Sequence, residues 1–241
     1  MELKEMIYKR KSVRKYSPNR VDETTINKIN QFCTELKPLY NDIKVRAEII
    51  DKENVKCICP WTTSQVVAVF SEEKDGYLEN VGFMFQQLEL YLQTIGLGVC
   101  WLGMGRLDSY AASSRNDGLK FVIMLAFGYP KDELRSDIMQ FKRRMLSEIS
   151  DKEDLRLEPA RIAPSSVNSQ PWYFVHDEDI IHTYCVKQGF FKTKALGDMN
   201  RIDIGIALAH MYVANSDTFD FFKTEEAQDV KGHGYIGSFK I

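Results

Sequence analysis

Apolar positions along the chain recur with two different periods, and the switches between them lay out the elements. In ELKEMIYKRKSVRKYS, Leu3, Met6, Ile7 and Arg10 stand at helical spacing, and Pro18 closes this short amphipathic segment. Asp22 is placed to cap a second helix whose buried stripe is Ile26, Ile29, Phe32 with Cys33, and Leu36, before Pro38 stops it. Residues 44–50 and 65–70 read as strands, the second a continuous apolar run. The longest helical face follows: Leu78, Val81, Met84 with Phe85, Leu88, Tyr91 with Leu92, and Ile95, terminated by Gly96 and Gly98. After a predicted loop over 109–117, FVIMLAF at 121–127 is apolar throughout, as in a strand covered on both faces, and GYP turns the chain. Two more strands are expected at 172–175 and 182–186 with a turn at 177–179, and a second core helix at 200–214.

The two halves of this pattern resemble each other. YKRKSV at 8–13 is echoed by FKRRML at 141–146, and the apolar helices carry a matching small residue, 75–82 against 198–205. No Pro/Gly/Ser-rich linker separates the halves, so a repeat divided as residues 1–125 and 126–241 is expected to pack as one globular unit.

Composition narrows the function more than the fold. The chain has 241 residues, 44% hydrophobic and 27% charged, with a net charge of -2. That near-neutral balance supplies no global field for nucleic acid or an anionic membrane, so any anion site has to be local. The N-terminus has no signal-peptide pattern and no apolar run reaches a membrane span, from which a cytoplasmic protein with no membrane partner is expected. Five scattered cysteines suit reduced thiols, and Cys57-Ile58-Cys59 lacks the second ligand pair of a tetrahedral metal site. No metal is expected.

Three stretches carry candidate chemistry. Arg10, Lys11, Ser12 and Arg14 gather three cations and a hydroxyl at a predicted helix end, suited to a phosphate or else to a solvated basic face. PSSVNSQPW at 164–172 offers planar amides and adjustable hydroxyls, chemistry that fits the edge of a heterocycle or a self-satisfied polar turn. GLGVCWLGMG at 96–105 has four glycines that let backbone approach a ligand, or that simply cap a helix beside a packed Trp101. Because it follows a helix, it is not a dinucleotide fingerprint. His176, His182, His210 and His233 have no neighbours forming a hydrolase or zinc motif, and are expected to be structural.

Together RKSVR, PSSVNSQPW and GLGVCWLG resemble the FMN-dependent nitroreductase family over nearly the whole chain. The resemblance implies an α+β fold with α-β-α layers and a mixed, mainly antiparallel sheet. It implies an FMN phosphate held by Arg10, Lys11, Ser12 and Arg14, with Arg143 as a further basic ligand. Pro164, Ser165, Ser166, Asn168 and Gln170 would contact the flavin ring, and Trp101, Leu102, Gly103 and Met104 would lie beside its N5 atom. Arg14 would also stabilise negative charge on the ring. The chemistry then belongs to the cofactor, with no catalytic side-chain set: NADH or NADPH reduces FMN, leaves, and a nitroaromatic or quinone acceptor is reduced in its place. In ordinary members the basic turn and the PSS-N-QPW turn are close in sequence, whereas here roughly 150 residues separate them. Each half keeps one motif, similar to the subgroup in which one chain is an internal pseudo-dimer. One FMN per chain is therefore expected, in a monomer or weak homodimer. The competing expectations are a specialised relative such as a dehalogenase, and a flavin-binding module without turnover. Pro159 is expected to kink or restart the helix preceding Ala163-Pro164.

Overall fold

The computed structural model describes residues 2–57, 63–108, 118–187 and 190–241, and only the backbone of 190–196. The predicted 109–117 loop and Cys59 lie outside the described residues. Short helix α1 (Leu3–Ile7) opens the chain, and α2 (Glu23–Glu35) is capped as expected, the Asp22 carboxylate accepting from the Thr25 N–H at 3.0 Å. Strand β1 (Val45–Asp51), the two-residue β2 (Val55–Lys56) and β3 (Gln65–Ser71) lead to α3 (Tyr77–Thr94). Gly96, at φ +84°, ends α3, with the Leu97 N–H reaching back to the Leu92 carbonyl. Strands β4 (Gly98–Leu102), β5 (Arg106–Leu107) and β6 (Lys120–Gly128) follow.

In the remaining chain, α4 (Leu146–Ile149) and α5 (Glu158–Arg161) are single turns. Pro159 restarts the helix rather than kinking it: it stands in the first turn of α5, where its missing N–H costs nothing. Strands β7 (Trp172–Asp177) and β8 (Ile180–Val186) precede the long helix α6 (Phe190–Ala214), then β9 (Asp220–Phe222) and β10 (His233–Lys240).

The strands form two four-stranded sheets, ordered β1-β3-β6-β4 and β7-β8-β10-β9, plus a small β2-β5 ribbon. Counted along the chain, both large sheets have the order 1-2-4-3, and in both the long helix enters between the second and third strands. All neighbouring strands are antiparallel, and parallel contacts arise at the isolated bridges Ser12 to Val99 and Ser150 to Phe174. The architecture is the expected α+β class. The expected boundary between residues 125 and 126 falls inside β6, which pairs along its length with β3 and β4, so β6 belongs whole to the first sheet.

Helix α3 packs on the first sheet, α6 on the second, and the two helices on each other. Their crossing is reciprocal. A Cβ on Gly82 would overlap the carbonyl oxygen of Ile202, and one on Gly205 would overlap that of Glu79. Each glycine thus faces the carbonyl three residues before the other, and the backbones meet where no side chain fits. Val67, Val69, Leu125 and Phe127 of the first sheet, and Trp172, Phe174, Ile181 and Phe239 of the second, complete one core around the pair.

Candidate functional site

Each long helix uses the same position to hold a turn of the chain. Two residues before Gly82, buried Asn80 accepts from the Leu39 N–H at 2.7 Å and the Tyr40 N–H at 3.0 Å. Two residues before Gly205, buried Asp203 accepts from the Ser166 N–H at 3.0 Å on both oxygens, and from the Ser169 hydroxyl at 3.3 Å. The turn after Pro38 and the turn after Pro164 are thus suspended from equivalent points on α3 and α6. Burial raises the Asp203 carboxyl to about 8, against the smaller opposing pull of Ser166 and Ser169.

The 164–172 turn is strained, and exposed at its tip, Val167 and Asn168. Val167, Asn168 and Gln170 all adopt positive φ, at 48°, 57° and 47°, in the left-handed region that non-glycine residues avoid. Val167 is β-branched and 80% exposed, so no core contact explains its conformation. The turn's own amides hold this shape. Asn168 Oδ1 accepts from Arg143 at 2.8 Å, Gln170 Oε1 accepts from the Arg144 N–H at 2.8 Å, and Ser165 Oγ accepts from the Gln170 N–H at 2.9 Å. Each amide thus already has a partner, Asn168 a guanidinium and Gln170 a backbone N–H, as polar turn residues do. The Ser166 hydroxyl makes no hydrogen bond among the described residues, and Pro164 is buried beneath the turn.

The basic turn is equally specific in its partners. Arg10 is 1% exposed, and its Nε and Nη2 donate to Glu89 Oε1 on α3 at 3.0 and 2.7 Å, with Nη2 also reaching Ser12 Oγ at 3.1 Å. It is a buried ion pair and does not present an open guanidinium. Lys11 is half-buried and lies 3.8 Å from Asp132, while Arg14 is exposed. From Glu89 a polar line runs inside the helix layer. Gln86 Nε2 donates to Glu89 Oε2 at 2.8 Å, Gln86 Oε1 accepts from the Trp101 indole at 3.1 Å, and Gln86 meets His210 Nε2 at 3.1 Å. His210 is fully enclosed, its other nitrogen on the Pro159 carbonyl at 2.9 Å. Burial, reinforced by Arg10, lowers its pKa to about 3, so it stays neutral and acts structurally.

Two arginines join the two turns, and sequence reasoning found only one of them. Arg135 donates to the Arg10 carbonyl and lies 4.4 Å above the Phe141 ring. Arg143, 6.0 Å from the same ring, donates to the carbonyls of Ala163 and Phe141 and to Asn168. Neither has a carboxylate partner among the described residues. Burial lowers Arg135 to about 10 and Arg143 to about 9, with Arg10 the next contributor to both. A partly buried cluster of guanidiniums with little countercharge is a place for an anion.

The GLGVCWLGMG stretch is not all loop. Gly98–Leu102 is strand β4, paired with β6, because Val99 and Trp101 are good strand formers, and the turn begins at Gly103. Trp101 and Leu102 are therefore fixed in the sheet, whereas half-buried Gly103 and exposed Met104 form its end. A Cβ on Gly103 would stand 2.9 Å from the Met199 sulfur, and Met199 precedes Asn200, which meets the Ser169 hydroxyl at 3.4 Å. The structure therefore brings the basic turn, the 164–172 turn and the end of β4 around one region. Arg135, Arg143, Glu89, Gln86 and Asp203 connect them.

The chain matches a family model described as "Putative TM nitroreductase" over residues 2–215, and it belongs to this nitroreductase family. Its fold is that of a Thermotoga maritima protein described as a "putative nitroreductase", with 19% identity, TM-score 0.66, and coverage of 99% of this chain and 92% of that one. A Clostridium difficile nitroreductase family protein aligns with TM-score 0.52 and 19% identity over 64% of this chain and 100% of its own. No curated protein matches the chain. No helix of the described residues is long and apolar enough to cross a membrane, and none of their His, Cys, Asp and Glu side chains cluster to hold a metal.

Proposed function

We propose that this protein is an FMN-dependent oxidoreductase that takes electrons from NADH or NADPH and passes them to an electron-poor small molecule, such as a nitroaromatic or quinone. The observation that carries the reading is the pair Arg135 and Arg143, two partly buried guanidiniums bonded only to neutral oxygens, set between the basic turn and the 164–172 turn. That donor set suits a phosphate dianion. FMN bound there would supply the hydride-exchanging centre of a ping-pong reaction.

In this reading Arg143 and Arg135 balance the phosphate, with Lys11, Ser12 and Arg14 at its rim. Arg10 holds the turn in place through Glu89 and does not serve as a ligand itself. Ser165, Ser166, Asn168 and Gln170 present the wall against the ring, and Trp101 is oriented by Gln86 so that Gly103 and Met104 close the other side. Asp203 keeps the wall at the level of α6 through Ser166 and Ser169.

The shared 1-2-4-3 strand order and the reciprocal glycines support an internal pseudo-dimer, divided after β6 rather than within it, with one composite site per chain. At the equivalent position on α3, Tyr40 fills the space a ligand would need. Its ring packs edge-on to Phe221 at 5.7 Å, lies 5.5 Å from the Lys223 ammonium, and closes over Gly76.

An absorbance spectrum of the purified protein, with released flavin counted per chain, tests the reading. One FMN per chain is expected, bleaching on anaerobic mixing with NADH or NADPH. A colourless protein that takes up no FMN would refute it, and a yellow protein that neither nucleotide bleaches would be a flavin-binding module. Arg143→Ala is expected to purify with most of its flavin lost; full flavin absorbance in that variant would refute the phosphate assignment.

A further inference from the structure

Beyond the turns already described, a second feature lies beside Met104. The β2-β5 ribbon places Lys56 directly opposite Arg106. Directly paired side chains leave a two-stranded ribbon on the same face, and like charges in that position repel. Neither cation has a carboxylate within ion-pair reach among the described residues. Both line an open cavity of about 620 Å³ with Val55, Cys57 and Met104, a volume typical of small-molecule sites. Met104 is 56% exposed and contributes a soft apolar surface suited to an aromatic ring. Arg106 also donates to the Gly105 carbonyl at 2.8 Å and reaches that of Gly103 at 3.5 Å, tying the cavity wall to the end of β4.

We propose that Lys56 and Arg106 form an anion-selecting subsite for the molecule that exchanges electrons beside Met104, so that the preferred reactant carries a phosphate or carboxylate. The inference rests on the functional reading above and deepens it. The repulsion between the two cations is offset when an anionic group sits between them, whereas a neutral reactant gains nothing from the pair. The same chemistry has two possible sources, the extra phosphate of NADPH and the acidic group of an acceptor, and the two are separable.

Isothermal titration of wild type and Lys56→Glu with two matched pairs of unreactive or unreduced ligands, NADP+ against NAD+ and nitrobenzoate against nitrobenzene, tests it. Lys56 makes no side-chain hydrogen bond or ion pair among the described residues, so the variant is expected to fold, and its flavin content is measured on the same sample. The ratio of association constants, the member with the extra anionic group over the member without it, is expected to fall about ten-fold in at least one pair, as for loss of a charge-assisted contact. A fall in the nucleotide pair assigns the subsite to the donor, and a fall in the nitroarene pair to the acceptor. Unchanged ratios in both pairs overturn the proposal. Because binding is read as heat, the ratios decide the subsite whether or not the protein is coloured, and a colourless protein would overturn the flavin reading alone.

Discussion

The turn after Pro38 and the turn after Pro164 hang from the same point of two crossed helices, yet one carries a packed aromatic ring and the other an exposed, strained tip. Asn80 holds the first by two backbone N–H groups and Asp203 holds the second by one N–H and one hydroxyl. After the first comes Tyr40, whose ring is enclosed by Phe221, Lys223 and Gly76; after the second come Ser165, Ser166 and a strained run with Val167 in the open. The supporting contact recurs in the two regions, and the residues beyond it differ.

The comparison depends first on the helix crossing. Gly205→Ala is expected to destabilise the protein by about 3 kcal/mol, because the added methyl overlaps the Glu79 carbonyl and the helices have to separate. A denaturant midpoint within error of wild type would show that the crossing is looser than described. Next come the two hooks. Asn80→Ala leaves two partly buried N–H groups unpaired and Asp203→Ala one N–H and one hydroxyl, and each should cost about 2 kcal/mol in chemical denaturation. Only Asp203→Ala is expected to lower flavin content as well. Equal flavin retention in both variants would remove the functional distinction between the turns.

Tyr40→Ser sharpens the difference at a smaller cost, about 1–2 kcal/mol for the lost ring contacts. Flavin per chain is expected to stay at one, since Asp75, Arg201 and Lys223 still knit that region together by ion pairs at 3.5 and 2.9 Å. A second flavin would show that Tyr40 alone closes the site. The mildest change is Asp203→Asn, which makes the second hook like the first. Burial lifts Asp203 from 3.8 to about 8, so across that window the unfolded chain has released a proton that the folded protein retains. Stability then falls as pH rises from about 4 to about 8 and levels off above. The asparagine variant lacks this slope, and its melting temperature should gain on wild type steadily through the window. Parallel melting curves would contradict the raised Asp203 value.

The sequence made the helices and the three motifs legible, including the matched small residues that became the Gly82 and Gly205 crossing. What it concealed was polar and buried. Gln86, Glu89 and Gln93 lie on a helix whose apolar stripe dominates its pattern, and Glu89 finds its partner Arg10 79 residues away. Arg135 stands in a loop with no motif around it, and nothing local marks it as the neighbour of Arg143. Strand β10 escaped for a different reason. Its register shifts between Tyr235 and Gly237, which breaks the alternation in HGYIGSFK, and Gly237 has no side chain because the Phe221 ring takes that space.

The reciprocal contact of α3 and α6 also has a mechanical consequence. Since each helix bears on the other's carbonyl with no compressible side chain between them, neither can slide without displacing both suspended turns. The pair behaves as a rigid beam, and the filled turn serves as its counterweight. Stiffening at Ser166 on ligand binding should therefore be felt at Leu39 and Tyr40, and amide exchange at those two positions should slow in step with it although no ligand touches them.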